Sequence, residues 1–204
     1  MTANRALLYD FFQGKAKSFL LRSIDMALEE DGPDWTSQAL FASQEQITAQ
    51  IISKQSTLCV GLPLIQIILD RIDDCAASRV QLHIEEGDEI SGGSQVATIF
   101  GEAGILLKAE RIILNYISHL SGIANNTRNF VAKMQESKTR LLDTRKTLPG
   151  LRYPEKYAVR LAGGFNHRFN LQDMLMLKDN HIDRVGSITK AVNSLRNSYS
   201  PCPR

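Results

Sequence analysis

The chain has 204 residues, 43% of them hydrophobic and 23% charged, with a formal net charge of +2. That is an ordinary globular composition, and so even a balance excludes bulk nucleic-acid binding. The uncharged run Gln55–Leu69 is too short to span a bilayer, and Arg5, Asp10, Lys15 and Lys17 do not fit a signal peptide.

Leu7, Leu8 and Phe11, then Leu20, Leu21, Ile24 and Leu28, recur at helical spacing, so residues 5–30 are expected to hold one or two helices, ended by Gly32-Pro33. "ITAQIISKQ" (47–55) reads as a strand and "PLIQIILDRI" (63–72) as a helix entered through Pro63. Residues 79–101 place Val80, Leu82 and Ile84 at period two, then supply turns at Glu86-Gly87-Asp88 and Gly92-Gly93, the pattern of a β-meander. Residues 103–135 switch to helical periodicity, with Ser121-Gly122 expected to split the run into two helices. Beyond residue 139 short strands "RLLDT" and "MLMLKD" alternate with helices "PEKYAVRLAG" and 187–197, as in a parallel sheet or α/β barrel. A boundary in the Asn115–Ser137 region gives segments 1–115 and 116–204, with a polar, disordered tail at 198–204.

Charge is local rather than global. Residues 140–168 hold Arg140, Arg145, Lys146, Arg152, Lys156, Arg160 and Arg168 against Asp143 and Glu155. Such a concentration in a near-neutral chain suggests a small-anion site. Three stretches, "DTRKTLPG" (143–150), "GGFNHR" (163–168) and "MLKDNHI" (176–182), put cations and hydrogen-bonding side chains next to expected strands. In α/β folds the ligand lies at the strands' carboxyl ends, so these stretches would converge. Arginine suits bidentate carboxylate binding and lysine suits phosphate, which makes a small polyanion carrying both groups the candidate ligand.

Together these motifs resemble the quinolinate phosphoribosyltransferase family, also called carboxylating nicotinate-nucleotide pyrophosphorylase. "AERIILNYISHLSGIA" (109–124) and "DGPDWTSQAL" (31–40) resemble further family segments, and the likeness covers roughly residues 5–197. The resemblance implies an α+β N-terminal sandwich domain followed by an incomplete α/β barrel. It implies transfer of phosphoribose from phosphoribosyl pyrophosphate to quinolinate, with loss of pyrophosphate and carbon dioxide, giving nicotinate mononucleotide for NAD biosynthesis, with Mg2+ required. By motif, Arg145, His167, Arg168 and Lys178 would bind quinolinate, and Lys146 with the Thr144 backbone would face the phosphoribosyl pyrophosphate. Arg111 matches the family's arginine reached from the neighbouring subunit, implying a homodimer with shared, catalytic use of Arg111 and Lys146.

The chain departs from the pattern at Ala162, Pro154 and Asn170, each a mild change. It also stops at Arg204, before the family's glutamate, aspartate and glycine-rich phosphate loop, so no metal ligand is expected within it and impaired activity is expected of a truncated chain. Two other readings stay open: a molybdenum-transport-type relative, and a non-catalytic ligand-binding or dimerising fragment. Lys178 and "NHR" favour quinolinate over the former, since an extra carboxylate needs an extra cation. His181 is read as a structural cap, and His83, His119, Cys59, Cys75 and Cys202 receive no role. Odd in number and without metal or redox spacing, the cysteines read as reduced thiols of a cytoplasmic protein.

Overall fold

Apolar residues three and four apart wind the first segment into α1 (Ala3–Phe11) and α2 (Gly14–Asp31), in a computed structural model that describes residues 3–42, 45–73, 77–134 and 138–199. Their inward stripe, Leu8, Phe12, Ala16, Leu20 and Ile24, is buried. Gly32, at φ 67°, ends α2 in a backbone conformation that glycine adopts without penalty. Asp34 caps α3 (Trp35–Leu40) by accepting the Ser37 N–H at 3.0 Å and the Ser37 hydroxyl, which holds its carboxyl below the usual range.

β1 (Gln46–Ile52), β3 (Arg79–Leu82) and β5 (Gln95–Glu102) form an antiparallel sheet in the order β1-β5-β3. The expected meander fails in its middle. β4 (Glu89–Ile90) leaves this sheet and pairs with β2 (Thr57–Leu58). The cause is the turn at Glu86-Gly87-Asp88, which is stitched to the segment before α4 (Pro63–Ile72). Gly87 N–H donates to Cys59 C=O at 2.8 Å, and Cys59 N–H to Asp88 C=O at 2.9 Å. Glu86, 2% exposed, accepts the N–H groups of Gly61 and Leu62, both at 2.8 Å.

α5 (Ala103–Lys133) runs unbroken through Ser121-Gly122, where two helices were expected. A mid-helix glycine costs only about 1 kcal/mol. Against that, the buried stripe continues past it through Leu120, Ala124 and Thr127. Ser121 Oγ accepts the Val60 N–H at 3.0 Å, and Asn125 Oδ1 accepts the Leu58 N–H at 3.0 Å. Tertiary contacts thus outweigh the local breaker signal.

After residue 138 the chain forms α6 (Arg152–Leu161), α7 (Asp179–Val185), which the sequence pattern did not suggest, and α8 (Ile188–Ser198). Neither expected strand forms a ladder among the described residues. Leu142 makes one parallel bridge to Phe165, and Met174–Lys178 is irregular before α7 begins at Asp179. The result is a mixed α/β architecture with an incomplete sheet that does not close into a barrel among the described residues. α6 nevertheless shares the main core. Tyr157 and Ala158 are fully buried in one cluster with Leu8, Ile65 and Leu120. Tyr157 O–H donates to Glu86 at 2.9 Å, tying α6 to the β3–β4 turn. The residues from 200 onward, and Cys75, lie outside the described residues.

Candidate functional site

Asp143 joins the conspicuous motifs. Its N–H donates to Phe165 C=O at 3.0 Å, and Phe165 N–H donates to Leu141 C=O at 2.8 Å. Its carboxylate pairs with Lys156 of α6 and accepts the His167 N–H at 2.8 Å and the Asn166 side-chain amide at 2.7 Å. "DTRK", "EKY" and "FNHR" therefore meet around one carboxylate. The glycines before Phe165 make this approach possible. Gly163 has φ 92°, and a Cβ on Gly164 would lie 2.7 Å from Val159 Cγ1. Ala162, where a third glycine is common, has φ −79° and needs no special freedom.

Most of the basic stretch is committed internally. Lys156 is 1% exposed and pairs with Asp143. Arg152 donates to Phe169 C=O at 3.1 Å and to Thr147 Oγ1 at 3.3 Å. Arg168, 8% exposed, donates to Met174 C=O at 2.9 Å. Arg140 and Arg160 lie over the Phe165 ring, with centroid distances of 4.9 and 5.1 Å. Among the described residues, the side chains of Arg145 and Lys146 are left without an internal partner, and Arg145 Nε is buried. Thr144 Oγ1 accepts the Lys146 N–H at 2.9 Å, which fixes the turn that presents both cations.

The other expected site residues are placed as follows. His167 Nδ1 accepts the Arg168 N–H at 2.7 Å, so in the neutral ring the proton sits on Nε2, a donor suited to an anion. Lys178 is exposed at the start of α7, where its N–H donates to His181 Nδ1 at 3.2 Å, a capping role for His181. Thr144 and Lys146 line a cavity of about 140 Å³ with Asp143 and Lys156, and Arg145, His167, Arg168 and Lys178 lie outside its wall. Arg111 is not brought to this cavity. It is exposed on α5 and lines a separate groove of about 690 Å³ with Asn115, Ser118 and Lys54. The loop after Arg168 is anchored by Asp173. Burial pulls this carboxyl upward, but the N–H groups of Phe169 and Asn170, the Asn170 amide and the Lys15 charge hold it below its ordinary value.

Sequence reasoning gave no role to Asp143, Lys156 or Asn166. The signal was present. An acid among seven cations is a candidate to be shared by one of them, and Asp143 is, by Lys156, while Glu155 lies 3.1 Å from His119 outside the stretch. Those pairings also bear on a metal. Mg2+ takes oxygen ligands, commonly carboxylates with phosphates and water. Here Asp143 and Glu155 are already engaged, and among the described residues no group of three or more His, Cys, Asp or Glu side chains could hold a metal ion. Among the described residues, those around Asp143 do not fit a protein-built Mg2+ site.

The model of the quinolinate phosphoribosyl transferase N-terminal domain matches residues 34–121, and that of the C-terminal domain matches residues 123–203. A probable nicotinate-nucleotide pyrophosphorylase (carboxylating) of Synechocystis is 44% identical over 80% of this chain and 54% of its own length. The Mycobacterium leprae nicotinate-nucleotide pyrophosphorylase (carboxylating) is 37% identical over 89% of this chain and 65% of its own. Among solved structures, the nicotinate-nucleotide pyrophosphorylase of Francisella tularensis superposes with a TM-score of 0.81 at 33% identity, over 93% of this chain and 67% of that one. The Streptococcus pyogenes NadC structure does so with a TM-score of 0.81 at 38% identity, over 89% and 66%. The chain thus spans between about half and two thirds of the relatives it matches.

Proposed function

The chain belongs to the quinolinate phosphoribosyltransferase family, and from that premise we propose that its site binds quinolinate and phosphoribosyl pyrophosphate for phosphoribosyl transfer with decarboxylation. In that reaction the pyridine nitrogen attacks C1 of the sugar and the C1–pyrophosphate bond breaks. The C2 carboxylate then leaves as carbon dioxide, and its electron pair, held by the adjacent pyridinium, takes up a proton. The product is nicotinate mononucleotide. Catalysis here is mainly positioning of the anions and stabilisation of the sugar-like cation.

The observation that carries this reading is the partnering of the basic stretch. Its other cations are committed internally, whereas Arg145 and Lys146 stand free on a turn fixed by Thr144. Arg145, His167 and Lys178 are assigned to the two carboxylates of quinolinate, together with Arg168 through the guanidinium donors not given to Met174 C=O. Lys146 and the Thr144 backbone are assigned to phosphoribosyl pyrophosphate. Arg111 is assigned to the site of a second copy in a cytoplasmic homodimer, which accounts for its lying on a different groove from Lys146. Mg2+ would be held by the pyrophosphate oxygens. Calorimetric titration with quinolinate and with nicotinate tests the assignment. Quinolinate should bind at one site per chain, at least tenfold tighter than the monocarboxylate. Equal affinity, or no binding of quinolinate, would overturn it.

A further inference from the structure

Taking an ammonium and a carboxylate out of water is unfavourable unless every proton and lone pair is met. Lys156 and Asp143 meet most of that condition. The Lys156 ammonium donates to Asp143 Oδ1 and to His167 C=O at 3.0 Å, and faces the Phe169 ring at 5.0 Å. Asp143 Oδ1 also accepts the His167 N–H at 2.8 Å, and Oδ2 accepts Asn166 Nδ2 at 2.7 Å. Asn166 closes the knot by donating to Lys156 C=O at 2.8 Å. A well-packed apolar pair would hold α6 as firmly, and often more so. An apolar pair could not grip one residue's backbone from both sides.

We infer that Asp143 and Lys156 are a positioning pair for anion binding: their buried ion pair clamps the N–H and the C=O of His167, and so sets the bearing of the His167 ring and the Arg168 guanidinium. The His167 ring in turn accepts the Arg168 N–H at 2.7 Å, so the clamp extends to the next residue. Neither Asp143 nor Lys156 has to touch the ligand. The identity of that ligand rests on the function proposed above; the clamp itself does not.

The test compares wild type, Lys156→Met, Asp143→Ala and the double variant of the 204-residue chain. It uses residue-resolved amide exchange without ligand, and calorimetry with pyridine-2,3-dicarboxylate. Each single variant strands a buried charge and should unfold at lower temperature. The double variant strands none and should recover much of that loss. It should still exchange the His167 amide at least tenfold faster than wild type, while Leu120 and Ala124 in α5 keep their protection. Its affinity for the dicarboxylate should stay at least tenfold below wild type. A double variant with wild-type exchange at His167 and affinity within twofold would reduce the pair to a stability element and overturn the inference. Equal loss of protection at His167, Leu120 and Ala124 would overturn it as well. If wild type itself does not bind the dicarboxylate, the proposed ligand falls, and the exchange at His167 alone decides whether the clamp exists.

Discussion

Residues 46–133 and residues 138–199 are held together by different forces. In the first segment most of the fixing contacts are apolar: Leu58, Val60, Leu64, Ile65, Ile68, Ala97, Ile113 and Leu120 are all buried in one cluster, to which Glu86, Ser121 and Asn125 add local bonds onto backbone. In the second, the buried apolar side chains include Pro154, Tyr157, Ala158, Ala162 and Ala191, and two of the buried groups are the charged side chains of Lys156 and Arg168. Order there comes from hydrogen bonds onto backbone, at His167, Phe169 and Met174. An apolar cluster is indifferent to direction, whereas a network of charged donors and acceptors fixes direction closely. The first segment is a frame, and the second a set of aimed cations attached to that frame through α6.

The sharpest way to test the contrast is to cut a hole in the frame. Leu120 is fully buried, and Leu120→Ala should cost about 2–5 kcal/mol of unfolding free energy, read by denaturant titration. If the loss were under about 0.5 kcal/mol, the size expected of an ordinary surface change, the apolar cluster would not be what holds the first segment.

A second experiment asks whether the two segments complete one another across a dimer. Arg111→Ala should weaken quinolinate binding by about 1.5–3 kcal/mol, the worth of a hydrogen bond to a charged group, although Arg111 lines a different groove from Lys146. Mixing Arg111→Ala with Arg145→Ala, each lacking one residue assigned to quinolinate, should restore one intact site per heterodimer, read as quinolinate binding at half stoichiometry. Heterodimers with no restored site would separate Arg111 from the anion site.

The smallest effect concerns the link between the segments. Burial pushes the Glu86 carboxyl up, against the opposing hydrogen bonds from Gly61, Leu62 and Tyr157. A carboxyl raised in the folded state contributes stability below its unfolded pKa and loses it as pH rises through the folded value. Tyr157→Phe removes a donor that favours the charged form. It should therefore raise the Glu86 pKa further and cost about 1 kcal/mol near neutral pH, with less cost in mild acid where Glu86 is protonated. Denaturation followed from mild acid to neutrality reads this, and a cost that grows toward acid would contradict the sign.

The same division explains what could be read from the sequence. α4 was legible to the residue because Pro63 and the period of Leu64, Ile65, Ile68 and Leu69 are local signals of an apolar face. The cationic turn at Arg145-Lys146 was legible as a motif. The meander was not, because its break depends on Glu86 reaching residues 24 and 25 positions away in sequence. "MLMLKD" misled for a related reason. Its alternation suits a strand, but strands exist by pairing, and Met174 C=O is taken by Arg168. The roles of Asp143 and Lys156 were hidden by the habit of reading charge as surface, which fails where two charges are buried together.

The central claim is that the free cations of the second segment bind a pyridine dicarboxylate, and Arg145 carries most of its weight because Nε is buried without a partner. Calorimetric titration of wild type and Arg145→Ala with quinolinate tests this most directly. The account predicts saturable binding by wild type and a loss of about 3–5 kcal/mol in the variant, the usual cost of leaving one partner of a buried charge pair unmet. Equal affinity in the two proteins, with both folded, would contradict it.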